Sequence, residues 1–181
     1  MPRFAANVSM LFTEVPFLDR FQAAREAGFE AVEFLFPYDH PADAVGERLK
    51  ANGLTQALFN LPPGNWDAGE KGFAALPARF DDLKRSLETA LPYARATGVK
   101  RLHLMAGIAS RADTKAVEQF YKSVAWAAEF FAPHGLDVEL RHDEILLKRL
   151  PPPLDLASLV HNHAASVEHQ VVLPADRVGV R

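Results

Sequence analysis

Four times in this chain a glycine followed by an apolar residue closes one segment and opens a short, β-rich run. The four are Gly28-Phe-Glu-Ala-Val-Glu-Phe34, Gly53-Leu-Thr-Gln-Ala-Leu-Phe-Asn60, Gly98-Val-Lys-Arg-Leu-His-Leu104 and Gly135-Leu-Asp-Val-Glu-Leu140. A glycine just past a helix accepts the left-handed conformation without a Cβ clash, so it ends the helix cleanly. Helix, glycine, strand, repeated, predicts a parallel α/β architecture. The rhythm stops after the fourth glycine. The expectation is therefore about four to five βα units, too few to close a barrel.

The chain in order supports that reading. Phe4 to Met10 reads as a first strand, and Thr13 as the N-cap of a first helix with Pro16 in its first turn. Phe17, Leu18, Phe21 and Ala24 then repeat at helical spacing up to Gly28. Further strands are expected at Ala31–Phe36, Leu54–Asn60 and Arg101–Met105, with helices at about Ala42–Asn52, Arg79–Thr97 and Thr114–Phe131. Pro92 inside the third helix predicts a kink or break near Leu91. Between strand three and helix three lies the longest irregular stretch, Leu61 to about Pro77. A loop of that length in a compact domain is usually functional or mobile.

A fifth strand is expected from Leu136, after which the character changes. Arg141 to Leu150 reads as a short helix ended by Pro151-Pro-Pro153. The chain divides accordingly into residues 1–140, half of a barrel-like domain, and residues 141–181, a divergent tail. The tail holds His161, His163, Glu168 and His169, but histidines at i and i+2 share a face only on a strand, which nothing there predicts. No metal ligand is assigned to it.

Composition narrows the function. At 181 residues with 49% hydrophobic residues, the chain can bury a sizeable core. A net charge of −3 with interspersed signs gives no electrostatic case for nucleic acid or an anionic membrane as partner. The absence of cysteine excludes disulfides, thiolate metal sites and a Cys nucleophile. The first residues lack a basic-then-apolar signal segment, and no run of about 18 apolar residues occurs. A cytoplasmic location is the expectation.

In parallel α/β sheets, active sites form beyond the carboxyl ends of the strands. The polar residues expected near those ends are Asn7 and Ser9 on strand one, Glu33 on strand two, Asn60 on strand three and His103 on strand four. An unpaired buried polar group costs a few kcal/mol, so their recurrence at matching ends of successive strands points to a shared pocket. Asn7, Glu33, Asn60 and His103 are candidate substrate-binding residues. Trp66 in the long loop is a fifth, placed to cap the pocket and exclude water.

Several ordered segments carry a resemblance. Arg3-Phe-Ala-Ala-Asn-Val-Ser-Met-Leu-Phe12, Gly28 through Asp39, Asn60-Leu-Pro-Pro-Gly-Asn-Trp-Asp-Ala-Gly-Glu70, Ala94 through His103, and Met105-Ala-Gly107 resemble the hydroxypyruvate isomerase family. That family lies within the xylose isomerase-like TIM barrels and includes 2-oxo-tetronate isomerase. The likeness covers about residues 3–138. It implies an incomplete (β/α)8 barrel and a small 2-oxo acid substrate, with interconversion of hydroxypyruvate and tartronate semialdehyde. It also implies a divalent metal such as Mg²⁺ to stabilise the enediolate, and a glutamate base at the end of strand five.

Glu139 is the candidate base. It follows Gly135 by four residues where the family's glutamate follows by about six, which at about 3.3 Å per residue places it roughly 6–7 Å deeper. The family's Ile-Glu-Pro-Ile-Asn-like motif is absent here. Four or five units would leave open strand edges and an apolar face, so a homo-oligomer is expected, and the alternative readings are a catalytically inactive half-barrel or interaction module and a sugar epimerase on the same scaffold.

Overall fold

A computed structural model describes residues 4–136 in full, and residues 139–140 and 145–146 by their backbone. Four parallel strands form the heart of the sheet: β1 (Ala5–Asn7), β2 (Ala31–Phe34), β3 (Thr55–Asn60) and β4 (Leu102–His103). They lie side by side in chain order, β1 with β2, β2 with β3, and β3 with β4, all parallel. Helices α1 (Arg20–Glu26), α2 (Ala42–Ala51) and α3 (Phe80–Thr97) connect them, and α4 (Thr114–Phe131) follows β4. This is the βαβ grammar that the glycines predict.

The glycines perform the expected task. Gly98 sits at φ 66° beyond α3, and its N–H donates to Ala94 O at the helix end. Gly28, Gly53 and Gly135 also have positive φ, between 60° and 91°. An L-residue in that conformation would be strained, so the turn into each strand depends on glycine.

One face of the sheet packs against the helices. Ala6, Val32, Phe34, Phe59 and Leu102 are all at most 2% exposed and form that face. Phe34 lies at its centre, stacked on Phe59 at 5.7 Å and meeting the edges of Phe17 and Phe21 at 5.5 and 6.0 Å. Fully burying one such ring contributes roughly 1.5–3 kcal/mol.

The structure corrects four local expectations. The first helix does not start at Thr13: the chain forms a 3₁₀ turn at Phe17–Asp19 and enters α1 at Arg20. The Arg20 guanidinium donates to Val8 O and Val15 O, at 2.9 and 3.0 Å, and so ties the preceding loop to the helix start. The strands are also shorter than their apolar runs, β1 ending at Asn7 and β2 at Phe34. Helix α3 runs through Pro92 without a break. Proline there forfeits one intrahelical hydrogen bond, which the burial of Leu83, Leu87, Ala90 and Ala94 outweighs.

The fourth correction concerns the end of the described chain. Ile145–Leu146 is a strand, β6, where a helix was expected. It pairs antiparallel with β4 on one side and with β5 (Glu139–Leu140) on the other. The sheet order is therefore β1-β2-β3-β4-β6-β5. A short apolar run fits a strand as well as a helix, and here the edge of β4 supplies the hydrogen-bonding partner. The tail histidines His161, His163 and His169 lie outside the described residues.

Candidate functional site

Side chains alternate along a strand, so the residues between the helix-facing ones project from the opposite face of the sheet. Asn7, Glu33, Asn60 and His103 all belong to that second face. Asn7 aligns with Glu33 across the β1–β2 pairing, and Asn60 with His103 across β3–β4. Asn7, Asn60 and His103 are each the last residue of a strand, and Glu33 is one short of the end of β2. Four candidates from four strands thus lie along the carboxyl edge of one parallel sheet, on the same face.

Two hydrogen-bonded pairs organise them. The Asn7 amide donates from Nδ2 to Glu33 Oε1 at 3.1 Å. Asn7 Oδ1 in turn accepts from the Ser9 N–H at 3.1 Å, which turns the chain just beyond β1. The second pair joins Asn60 Oδ1 and His103 Nδ1, also 3.1 Å apart. With an amide oxygen as acceptor, His103 Nδ1 is the donor, and Nε2 is the ring's acceptor in the neutral form. Asn60 is 7% exposed and His103 half-buried, so the pair is partly shielded from solvent.

Three further residues shape the site and were not singled out as binding candidates from the sequence. Ser9 Oγ accepts from the Leu35 N–H at 2.9 Å, linking the β1 and β2 exits. The Tyr38 hydroxyl donates to Asn60 O at 2.6 Å and fixes the end of β3. Burial pushes the Tyr38 phenol well above its ordinary pKa, with Tyr93 adding to the shift, so it stays a proton donor. Gln56 on β3 is buried among the helix-facing residues. A tyrosine in the turn that follows β2, and a glutamine on the apolar face of β3, are the signals that mark the last two.

Trp66 takes no part in the two hydrogen-bonded pairs. Its ring meets Phe36 at 5.0 Å, and Lys71 Nζ lies 3.1 Å from the ring centroid. The indole is 40% exposed on the β3–α3 loop. The loop itself is fastened by Glu70, whose carboxylate accepts from the Asn65 N–H at 2.6 Å and pairs with Arg79. Arg79 also binds Asp82, which in turn holds Arg85. Arg79 keeps both carboxyls, Glu70 and Asp82, below the usual carboxylate range, with the Asn65 N–H assisting at Glu70 and Arg85 at Asp82. A shallow cleft lined by Gly69, Glu70, Lys71, Leu76 and Ile108 lies along this loop, and none of the strand-end residues lines it.

Among the described residues no group of three or more His, Asp or Glu side chains converges where it could hold a metal ion. At the strand ends the only such side chains among the candidates are Glu33 and His103, and each is already hydrogen-bonded to an asparagine. These residues do not by themselves fit the divalent cation that the resemblance implies. The backbone of Glu139 lies on β5, which pairs with β6 and is separated from β4 by it. Its side chain lies outside the described residues.

Comparison with known proteins bears on the fold and the family. Residues 21–141 match the family model described as xylose isomerase-like TIM barrel. The 2-oxo-tetronate isomerase of Pectobacterium atrosepticum is 46% identical over 160 residues, covering 87% of this chain and 60% of the relative. That of Cupriavidus necator is 52% identical over 142 residues, covering 76% of this chain and 54% of the relative. Hydroxypyruvate isomerase of Escherichia coli is 45% identical over 107 residues, covering 59% of this chain and 42% of the relative.

Among solved structures, one described as an AP endonuclease, family 2, from Brucella melitensis superposes with a TM-score of 0.72 at 51% identity, covering 76% of this chain and 54% of that one. The chain spans about half the length of the curated relatives it matches. No helix among the described residues is long and apolar enough to cross a membrane. Matched over two thirds of its residues by the family model and at about half identity by named relatives, the chain belongs to the xylose isomerase-like TIM barrel family.

Proposed function

We propose that this chain acts in the isomerisation of a small hydroxylated 2-oxo acid, and that its strand ends bind the substrate. The observation that carries this reading is the placement of Asn7, Glu33, Asn60 and His103 on one face at the carboxyl ends of β1 to β4. Such a set suits a short, oxygen-rich molecule. Asparagine amide N–H groups donate to carbonyl and carboxylate oxygens, and the Glu33 carboxylate and the acceptor nitrogen of His103 accept from hydroxyls.

The reaction is the interconversion of hydroxypyruvate and tartronate semialdehyde. A base removes a proton from the hydroxyl-bearing carbon, the electron pair passes through an enediol, and a proton returns to the neighbouring carbon while the hydroxyl proton changes oxygen. The resemblance implies a glutamate base at the end of strand five, and Glu139 is the candidate for it. The names of the relatives at 46% and 52% identity favour a four-carbon variant, 2-oxo-tetronate, as a second substrate reading. The net charge of −3 supports a small anion over a phosphodiester backbone as substrate, because it supplies no basic surface for a polyanion.

The test is hydrogen exchange in D₂O with added Mg²⁺, followed by NMR. The chain should speed deuterium entry at the hydroxyl-bearing carbon of hydroxypyruvate or 2-oxo-tetronate, and Glu139→Gln should abolish it. Exchange no faster than in buffer for both acids would overturn the reading.

A further inference from the structure

Strand β3 does not alternate regularly. In its pairing with β2, Val32 aligns with Gln56 and Glu33 with Leu58, so Ala57 is an extra residue without a partner. This is a β-bulge, and its consequence follows from the period of a strand: one inserted residue turns every later side chain to the other face. Without it, Phe59 would project from the site face and Asn60 would point into the helix-packed core. With it, Phe59 stacks on Phe34 at 5.7 Å and Asn60 faces His103 at 3.1 Å.

The bulge has a specific fastening. Gln56 is 5% exposed, and its Nε2 donates to Leu58 O at 2.6 Å, reaching across Ala57 along its own strand. Its Oε1 is buried and meets no partner among the described residues. An apolar side chain would suit that core position better on burial alone, whereas no apolar side chain could donate to the Leu58 carbonyl.

We propose that Gln56 is a positioning residue, which holds the β3 bulge at Ala57 and thereby turns Asn60 toward His103 on the substrate-facing side of the sheet. Its Nε2 reaches only the Leu58 carbonyl, so it acts through the backbone between residues 56 and 60. The inference concerns the Asn60–His103 pair itself and is independent of which acid the site binds.

The test reads the pair directly. Long-range ¹H–¹⁵N NMR of the His103 ring reports which nitrogen carries the proton and whether Nδ1 is hydrogen-bonded, and Asn60→Leu supplies the signature of the broken pair. In Gln56→Met the His103 pattern should move to that of Asn60→Leu. Deleting Ala57 in the Gln56→Met chain should restore the original pattern, because continuous pairing then gives Asn60 the same facing with no bulge to hold. A folded Gln56→Met chain that keeps the original His103 pattern would overturn the proposal. Should Gln56→Met not fold, the deletion variant decides: a folded chain with the original pattern supports the proposal, and any other result overturns it.

Discussion

The Asn7 amide and the Glu33 carboxylate, 26 residues apart in the chain, are joined by one hydrogen bond of 3.1 Å. The bond ties the ends of the first two parallel strands together on the face that carries the candidate site. Asn7→Asp would put a second carboxylate at that distance. Like charges so close cannot both ionise readily, so one member of the pair should titrate well above the ordinary carboxylate range. A folded-state pKa raised in this way stabilises the protonated form, so the variant should lose stability as pH rises from about 4 toward neutrality. Carboxyl ¹³C titration and thermal melts across that range check both statements.

The clasp on the long loop makes the opposite prediction. Glu70 and Asp82 have depressed pKa values in the folded chain, held chiefly by Arg79. Their contribution is present above the ordinary carboxylate range and is lost as pH falls through the depressed values. Arg79→Met should therefore melt lower than the parent at pH 7, and the two curves should converge in acid. Hydrogen exchange should place the lost protection between Asn65 and Gly72, where the Glu70 contact to the Asn65 N–H closes the loop.

Gly46 lies inside α2, where alanine would ordinarily stabilise the helix by about 1 kcal/mol. A Cβ there would stand 2.5 Å from Ala96 O and 3.0 Å from its carbonyl carbon, on the facing backbone of α3. The clash outweighs the propensity, because the neighbour is backbone and not the end of a flexible side chain. Gly46→Ala should destabilise the chain by roughly 1–3 kcal/mol in urea unfolding.

Tyr38→Phe removes the 2.6 Å hydrogen bond to Asn60 O. The loss should cost about 1 kcal/mol, the usual net value of one such bond. The raised phenol pKa adds a pH signature. Stability from that group is complete below about pH 10 and is lost as pH rises through the folded-state value, so the alkaline unfolding limb should differ between Tyr38→Phe and the parent.

The α/β order and most of the candidate site were legible because local chemistry sets them. Each glycine after a helix has positive φ for a reason written in its own residue type. Asn7, Asn60 and His103 stand out as polar endings to apolar runs, and helix Thr114–Phe131 has the bounds that its periodicity predicts. Other features depend on partners that are distant in the chain. Pro92 reads as a helix break until the burial of Leu87 and Ala90 is known, and Ile145–Leu146 becomes a strand because β4 offers an edge. The bulge at Ala57 is a fact about register between two strands. Hence the facing of Asn60, which was anticipated, rests on Gln56, which was not.

The central claim is that the ends of β1 to β4 bind a small hydroxylated 2-oxo acid. The most direct measurement is an NMR titration of the chain with hydroxypyruvate, following the side-chain amides of Asn7 and Asn60 and the ring of His103. Saturable shifts of all three groups are expected, lost in Asn60→Leu while that variant keeps the parent's backbone spectrum away from the site. An absence of binding, or saturable binding that leaves these three groups unmoved, would contradict it.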